Sequence, residues 1–338
     1  MWERYHPRAV STESHLPSIL VPNSVLDANR HEVERAVGGR ARLIGEAAVA
    51  EGEAAPEGLE VIVTGMDQDV FDRAIEAPTI LWVHSISAGV EHLPLDRIAE
   101  RGILLTNSAG AYATAMAEYV IGAAIMLARN LHGWLDGQRD RRWLDVDAFG
   151  SWLLRGKRLG IVGYGAVGRE VAAAGSAFGM DVWATKRTPV FRSGEPLDRL
   201  LPADELHELL TESDVVVISA SLNRTTHALI GEAELAAMKA TAILVNVARG
   251  GLIDEDALEG ALRTGGIRGA MLDVTLEEPL PEDSPLWSAP NLLITPHISG
   301  SAPESWEAAV AFLCANLDLY LAGTPELMGN LIDLSTVR

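Results

Sequence analysis

Residues 159–187, LGIVGYGAVGREVAAAGSAFGMDVWATKR, decide the fold. The apolar run Leu159 to Val162 reads as a buried strand, broken by Gly163, Gly165 and Gly168 in the spacing G-x-G-x-x-G. A helical pattern follows to about Phe178, Gly179 is placed to end it, and Met180 to Thr185 reads as the next strand. In such a unit the first glycine permits a tight turn, the second lets backbone approach a pyrophosphate, and the third lets helix pack closely on strand. The phosphates then meet free N–H groups at the positive end of the helix. Glycine clusters alone also make ordinary turns, but here the flanking strand, helix and second strand are all present. The stretch predicts dinucleotide binding.

Outward from it, the alternation of strands and helices continues in both directions. Upstream, strands are expected at Ser18 to Val21, Arg42 to Gly45, Leu59 to Gly65, Thr79 to Val83 and Gly102 to Thr106, with a helix at Leu26 to Val37. Downstream, strands are expected at Asp214 to Ser219, Ala242 to Val247, Gly269 to Asp273 and Leu292 to Thr295. With the two flanking the glycines these make six, as in a doubly wound dinucleotide domain. Helices at Ala203 to Leu210, Gly231 to Met238 and Glu255 to Thr264 fill the intervals. A last helix, about Ala302 to Leu321, comes after that sheet is complete and returns most economically to the first domain. The fold class is therefore α/β, with two Rossmann-like parallel-sheet domains. Residues 1–105 and 299–338 form a discontinuous, flavodoxin-like substrate-binding domain, and residues 106–298 the dinucleotide-binding domain.

Thr114 to Leu127 is apolar nearly all round, which predicts burial between domains or subunits. The following stretch to Trp152 mixes Trp134, Trp143 and Trp152 with charges and reads as an arm that packs on a partner, so a homodimer is expected.

The chain has 338 residues, 48% of them hydrophobic, and a formal charge of −20. That acidity argues against nucleic acid as a partner, because duplex binding needs clustered cations. No apolar run reaches the ~18 residues of a membrane span, and Glu3, Arg4, His6 and Arg8 interrupt any secretory core, so a cytoplasmic protein away from membranes is expected. The single cysteine, Cys314, excludes an intrachain disulfide and a cysteine-cluster metal site, and no metal is expected.

Three polar residues fall at or just past carboxyl ends of the later strands, where such sheets bind ligands: Arg249, Glu278 and His297. Each taken singly has an ordinary alternative, as a loop cation, a surface acid and a turn residue. Together their chemistry is complementary. An arginine fork grips a carboxylate and polarises a carbonyl, histidine exchanges a proton near neutrality, and a glutamate on the second ring nitrogen orients the imidazole. With a nicotinamide the set reads as hydride transfer to a 2-oxo acid. The turn Ser87, Ala88, Gly89 also follows a parallel strand and presents backbone N–H groups, or is a plain loop.

The motifs SAGVEHL, NSAG followed by AEYVIGAAIMLAR, GIVGYGAVGRE, ILVNVARGGLIDEDAL, DVTLEEPLPEDSPLW and ITPHISG resemble, in this order, those of the D-isomer-specific 2-hydroxyacid dehydrogenases, glyoxylate/hydroxypyruvate reductases among them. The likeness covers essentially the whole chain. It implies Arg249 as binder of substrate carboxylate and carbonyl, His297 as proton donor and acceptor, and Glu278 as its partner. It also implies Ser87, Ala88 and Gly89 as the carboxylate turn. The cofactor would be held by Gly163, Gly165, Ala166, Val167, Gly168, Ser219, Ala248, Asp273 and Gly300, with Asp273 on the nicotinamide carboxamide.

The chain departs from the family pattern in three places. Glu91 stands where many members have Asp, and Ser219 and Ser221 replace a usual His and Pro. At the end of the second cofactor strand, an NAD enzyme carries an acid for the ribose 2′-OH, whereas this chain has Lys186 and Arg187. Two cations suit a 2′-phosphate, so NADP(H) is expected to be preferred, with NAD(H) possible. A phosphoglycerate dehydrogenase-like enzyme and a dinucleotide-sensing corepressor are the competing readings.

Overall fold

The apolar runs that predicted strands form two parallel sheets, and the alternation of side chains along each strand divides every sheet into two buried faces. The computed structural model describes residues 16–49, 56–145, 150–191 and 193–334. The chain divides into two compact units, residues 1–112 with 302–338, and residues 113–301. Each is described by itself.

The first unit holds β1 (Ser18–Leu20), α1 (Asn23–Val37), β2 (Arg42–Ile44), β3 (Leu59–Val63), α2 (Gln68–Ala74), β4 (Trp82–Ser85), α3 (Leu95–Glu100) and β5 (Leu104–Asn107). Its sheet order is β2-β1-β3-β4-β5, all parallel. Ile19, Val61, Val63 and Trp82 face one side; Leu20, Ile62, Val83 and Leu105 face the other. The sequence reading placed neither α2 nor α3. Both are short and their apolar positions too few to show a period.

The second unit holds α4 (Ala113–Ala128), α5 (Leu131–Arg139), β6 (Arg158–Val162), α6 (Ala166–Ala177), β7 (Asp181–Lys186), β8 (Arg199–Pro202), α7 (Leu206–Glu212), β9 (Val215–Ile218), α8 (Glu232–Ala237), β10 (Ile243–Asn246), α9 (Glu255–Thr264), β11 (Gly269–Leu272) and β12 (Leu292–Ile294). Its order is β12-β11-β10-β9-β6-β7-β8, all parallel. The sheet has seven strands rather than the expected six: β8 is a short edge strand ending in Pro202, and proline is tolerated only at such edges. The last helix, α10 (Pro303–Leu321), belongs to the first unit, where Ala309, Val310, Leu313 and Leu317 pack with Val25, Val33 and Val37 of α1.

The burial of α4 is supplied inside its own unit. Ala117, Val120, Ala124 and Leu127 share a core with Val171 and Ala172 of α6 and with Val215, Val217, Ile243 and Val245 of the sheet. Each fully buried valine or leucine contributes about 1.5–3 kcal/mol relative to exposure. Thr114, Glu118, Gly122 and Arg129 form a stripe that this unit leaves exposed. The expected arm begins as the helix α5, and Trp152 packs against the unit's own core, with its backbone N–H donating to the Ala128 carbonyl at 3.1 Å. Trp143 is fully exposed. Residues 146–149 of that stretch, and residues 1–15, lie outside the described residues.

Candidate active site

Register sets the site. Val162 pairs with Ile218 and Thr185, Asn246 with Ile218 and Leu272, and Leu272 with Ile294. These residues form one row across the sheet, so everything just beyond it lies along one edge: the glycine loop, Lys186, Ser219, Arg249, Asp273 and His297. The sheet order reverses between β6 and β9, which is where such sheets bind ligands.

The three glycines have three distinct surroundings. Gly163 has φ +98°, and a Cβ there would lie 2.6 Å from the Ala220 Cα. A Cβ on Gly168 would lie 2.5 Å from the Gly163 carbonyl oxygen. Around Gly165, at the N-terminal cap of α6, a Cβ would meet no protein atom within 4 Å. The first two are needed by the fold; the third leaves space beside the helix N-terminus, with Ala166 and Val167 in its first turn. That combination fits a bound pyrophosphate. Ser219 donates its hydroxyl to the Gly163 carbonyl at 2.7 Å and braces the loop. Lys186 is half-buried and Arg187 exposed at the end of β7, and among the described residues neither has an acidic partner.

Arg249 follows β10. The loop is held by Asn246, a fully buried side chain whose Nδ2 donates to the Arg249 carbonyl at 2.9 Å and whose Oδ1 accepts from the Ala248 N–H at 3.0 Å. The guanidinium donates to the Ala248 carbonyl at 2.6 Å. Beside it a Cβ on Gly250 would fall 2.0 Å from the Thr275 carbonyl carbon. Arg249's loop thus abuts the loop that carries Glu278.

His297 has φ +55°, a left-handed conformation that costs a non-glycine residue about 1–2 kcal/mol. Asp273 holds it there. The His297 N–H donates to the Asp273 carbonyl at 2.8 Å, and the Asp273 carboxylate, 1% exposed, accepts from Ile298 N–H and Ser299 N–H, each at 2.8 Å, and from the Thr295 hydroxyl at 2.6 Å. Because the Thr295 proton goes to Asp273, the Tyr119 hydroxyl that touches Thr295 is the donor in that pair. Burial, with the Asp273 charge adding to it, pushes Tyr119 up to about 12, so it keeps its proton. Glu278 Oε2 accepts from His297 Nδ1 at 2.8 Å, while Oε1 accepts from the Thr275 N–H at 3.1 Å. With Nδ1 donating to a carboxylate, Nε2 is the nitrogen free to gain and lose a proton. Gly300 lies in the turn after His297, where Ser301 N–H donates to the Ile298 carbonyl at 2.8 Å.

In the first unit, Ser87, Ala88 and Gly89 follow β4, and their N–H groups donate to no atom among the described residues. His84, fully buried beneath them, has its pKa lowered to about 3 by burial and is neutral. Sequence reasoning missed Asn246, Thr295 and Tyr119. Asn246 did carry a signal, a polar residue in the run AILVNV; the Tyr119–Thr295 contact spans 176 positions and had none.

The family model for "D-isomer specific 2-hydroxyacid dehydrogenase, NAD binding domain" matches residues 121–299. The chain belongs to the D-isomer-specific 2-hydroxyacid dehydrogenase family. This dehydrogenase is 33% identical over 304 residues to D-3-phosphoglycerate dehydrogenase of Methanocaldococcus jannaschii, covering 87% of this chain and 56% of that protein, little more than half its length. It is 35% identical over 263 residues to glyoxylate/hydroxypyruvate reductase B of Pectobacterium carotovorum, covering 76% of this chain and 80% of that one. Among solved structures, a D-isomer-specific 2-hydroxyacid dehydrogenase from Xanthobacter autotrophicus in complex with NADPH and MES superposes with a TM-score of 0.79 at 27% identity, over 96% of this chain and all of that one. The family consists of oxidoreductases acting on CH–OH groups, and its model is that of an NAD-binding domain. Among the described residues no helix of the dehydrogenase is long and apolar enough to cross a membrane, and no cluster of His, Cys, Asp and Glu could hold a metal.

Proposed function

We propose that the protein is a glyoxylate/hydroxypyruvate-type reductase that interconverts a 2-oxo acid and a D-2-hydroxy acid and prefers NADPH. The observation that carries this is the 2.8 Å His297–Glu278 pair on the same sheet edge as Arg249 and the glycine loop. Residues 113–301 form the dinucleotide domain in this reading, and residues 1–112 with 302–338 the substrate domain. The dinucleotide, when bound by Gly163 to Gly168, Ser219, Ala248, Asp273 and Gly300, supplies the hydride. In the first unit the Ser87, Ala88 and Gly89 N–H groups are suited to a carboxylate, and in the second the Arg249 guanidinium binds the substrate carboxylate. Arg249 also polarises the 2-oxo group, concentrating positive charge where negative charge develops. His297 Nε2–H gives its proton to that oxygen, and Glu278 holds the ring in position through Nδ1. In the oxidative direction Nε2 takes the proton back.

Lys186 and Arg187 support the cofactor preference. Charge-assisted hydrogen bonds are worth about 1.5–3 kcal/mol each, so two to a 2′-phosphate would favour NADPH over NADH by roughly 10²-fold or more. An intact Arg, Glu and His set supports turnover over a corepressor role. The likeness to phosphoglycerate dehydrogenase favours a second reading, an NAD-dependent enzyme of that kind. A panel of glyoxylate, hydroxypyruvate, pyruvate, 2-oxobutyrate, phenylpyruvate and phosphohydroxypyruvate with both cofactors separates the two. The expected outcome is fastest turnover of glyoxylate or hydroxypyruvate with NADPH. Activity confined to phosphohydroxypyruvate with NADH would favour the second reading. In the K186D/R187A double variant the cofactor preference should reverse.

The exposed Leu131, Leu135, Trp143 and Leu153 of the second unit support self-association as a homodimer, expected as a dimer mass in sedimentation at micromolar concentration. A cytoplasmic location, with no nucleic-acid or membrane partner, completes the proposal.

A further inference from the structure

The turn after β4 is built with its acceptors tied down and its donors left over. All five carbonyl oxygens from Ser85 to Gly89 accept hydrogen bonds. Ser85 accepts from the Ser108 hydroxyl at 3.4 Å, Ile86 from the Tyr112 hydroxyl at 2.8 Å, and Ser87 from the Ser108 N–H at 3.1 Å. Ala88 accepts from Asn107 Nδ2 at 2.6 Å, and Gly89 from the hydroxyls of Ser85 and Ser87 at 3.1 and 3.0 Å. The N–H groups of Ser87, Ala88 and Gly89 donate to nothing among the described residues. A turn fixed in this way offers donors without competing acceptors, which suits an anion.

The clamps are themselves fixed. Asn107 Oδ1 accepts from the Ala109 N–H at 3.2 Å, and the Asn107 carbonyl accepts from Asn330 Nδ2 at 3.1 Å. Beneath the turn, Trp82 Nε1 donates to Thr106 Oγ1 at 2.8 Å, His84 Nδ1 lies 2.8 Å from that oxygen, and His84 Nε2 lies 3.2 Å from Ser108 Oγ. Only one tautomer gives every hydrogen an acceptor: Thr106 donates to Nδ1, Nε2–H donates to Ser108, and Ser108 donates to the Ser85 carbonyl. The Asn amide and Tyr phenol that reach the turn are neutral, as is this histidine.

We infer that Asn107 and Tyr112 are positioning residues for a carboxylate-bearing ligand, holding the Ala88 and Ile86 carbonyls away so that three backbone N–H groups receive the anion. This rests on the proposed reduction of 2-oxo acids and assigns residues that act through the turn rather than on the reacting atoms. Tyr112→Phe leaves the Ile86 carbonyl without its donor and should raise KM for a 2-oxo acid by about 3- to 10-fold. Asn107→Asp keeps the acceptor for Ala109 and sets a carboxylate against the Ala88 carbonyl; it should raise KM by about 30-fold or more.

The experiment uses the full chain and measures kcat and KM for glyoxylate and for its uncharged amide, with the Kd of oxalate by calorimetry and of NADPH by fluorescence. The expected result is a higher KM for the acid and a weaker oxalate Kd, with kcat within twofold and with the amide and NADPH unmoved. Rescue to near wild-type KM is expected in Asn107→Gln, whose amide can still reach a carbonyl. If KM for acid and amide rise together, or kcat falls while the oxalate Kd stays, the inference is overturned. Should Asn107→Asp fail to fold, Tyr112→Phe and Asn107→Gln carry the test. A wild-type chain that reduces no 2-oxo acid defeats the functional reading instead, while the oxalate measurement still decides the role of the turn.

Discussion

Replacing each loop glycine by alanine separates what the fold needs from what a ligand needs. At Gly165 the added methyl meets no protein atom within 4 Å, and the residue lies outside the left-handed region, at φ −99°. Stability should therefore change by less than about 1 kcal/mol, or about 3 °C in Tm for a domain of this size. The same methyl fills the space assigned to the pyrophosphate and holds it off the helix N–H groups. Losing one or two charge-assisted bonds weakens NADPH binding by about 10- to 10³-fold. At Gly163 the methyl would sit 2.6 Å from the backbone of Ala220 with φ at +98°, and at Gly168 2.5 Å from the Gly163 oxygen. Neither neighbour is a flexible side chain, so each variant should lose about 2–3 kcal/mol or more. Thermal denaturation without ligand, paired with fluorescence titration by NADPH, reads both effects. A Gly165→Ala protein that binds NADPH like the wild type, or that melts as early as Gly163→Ala, would refute the reasoning.

Three further outcomes follow from single contacts. Gly250→Ala sets a Cβ 2.0 Å from the Thr275 carbonyl carbon and must part the loops of Arg249 and Glu278; kcat/KM should fall by about 10²-fold, and a variant retaining half its activity contradicts this. His84 has a folded pKa of about 3 against an ordinary 6.5, so the unfolded chain binds the extra proton: its contribution is level above pH 6.5 and is lost as pH falls towards 3. That loss should reach about 2 kcal/mol by pH 5, so the stability gap between wild type and His84→Gln in urea titrations should narrow by that amount from pH 7 to pH 5. Burial pushes the Cys314 thiol up to about 11, leaving about 0.1% thiolate at pH 8, so iodoacetamide should modify the folded chain at least 10²-fold more slowly than the urea-unfolded chain.

Most of what positions the site was legible because it is local. The glycine spacing, the apolar strands and the polar residues just past them lie within a few positions of one another, and the parallel register then aligns the strand ends without further information. That rule singled out Arg249, Glu278 and His297 as candidates, and the structure brings Glu278 and His297 to 2.8 Å through two neighbouring strands, β11 and β12. What the reading lacked depends on partners remote in sequence. An apolar α4 looks buried on every side until α6 is seen to cover only part of it. Trp152 reads as interface composition, and its packing on the unit's own core depends on partners the local pattern does not name. Tyr119 and Thr295 are ordinary residues until the fold joins them, and β8, four residues ending in proline, is a strand only because β7 is there to pair with it. The carbonyl clamps of Asn107 and Tyr112 belong to the same class: the NSAG motif was visible, but not which oxygens it would hold.

The central claim, hydride transfer to the carbonyl carbon of a 2-oxo acid with D stereochemistry, is tested most directly by following the hydrogen itself. The chain is incubated with 2-oxobutyrate and NADPH carrying deuterium at C4, once on each face of the dihydronicotinamide ring, and the product is resolved by chiral chromatography and mass spectrometry. Deuterium should pass from one face only, and D-2-hydroxybutyrate should carry a single deuterium at C2, with no product from His297→Gln above about 1% of wild type. Formation of the L isomer, or of product without deuterium from either labelled face, would contradict it.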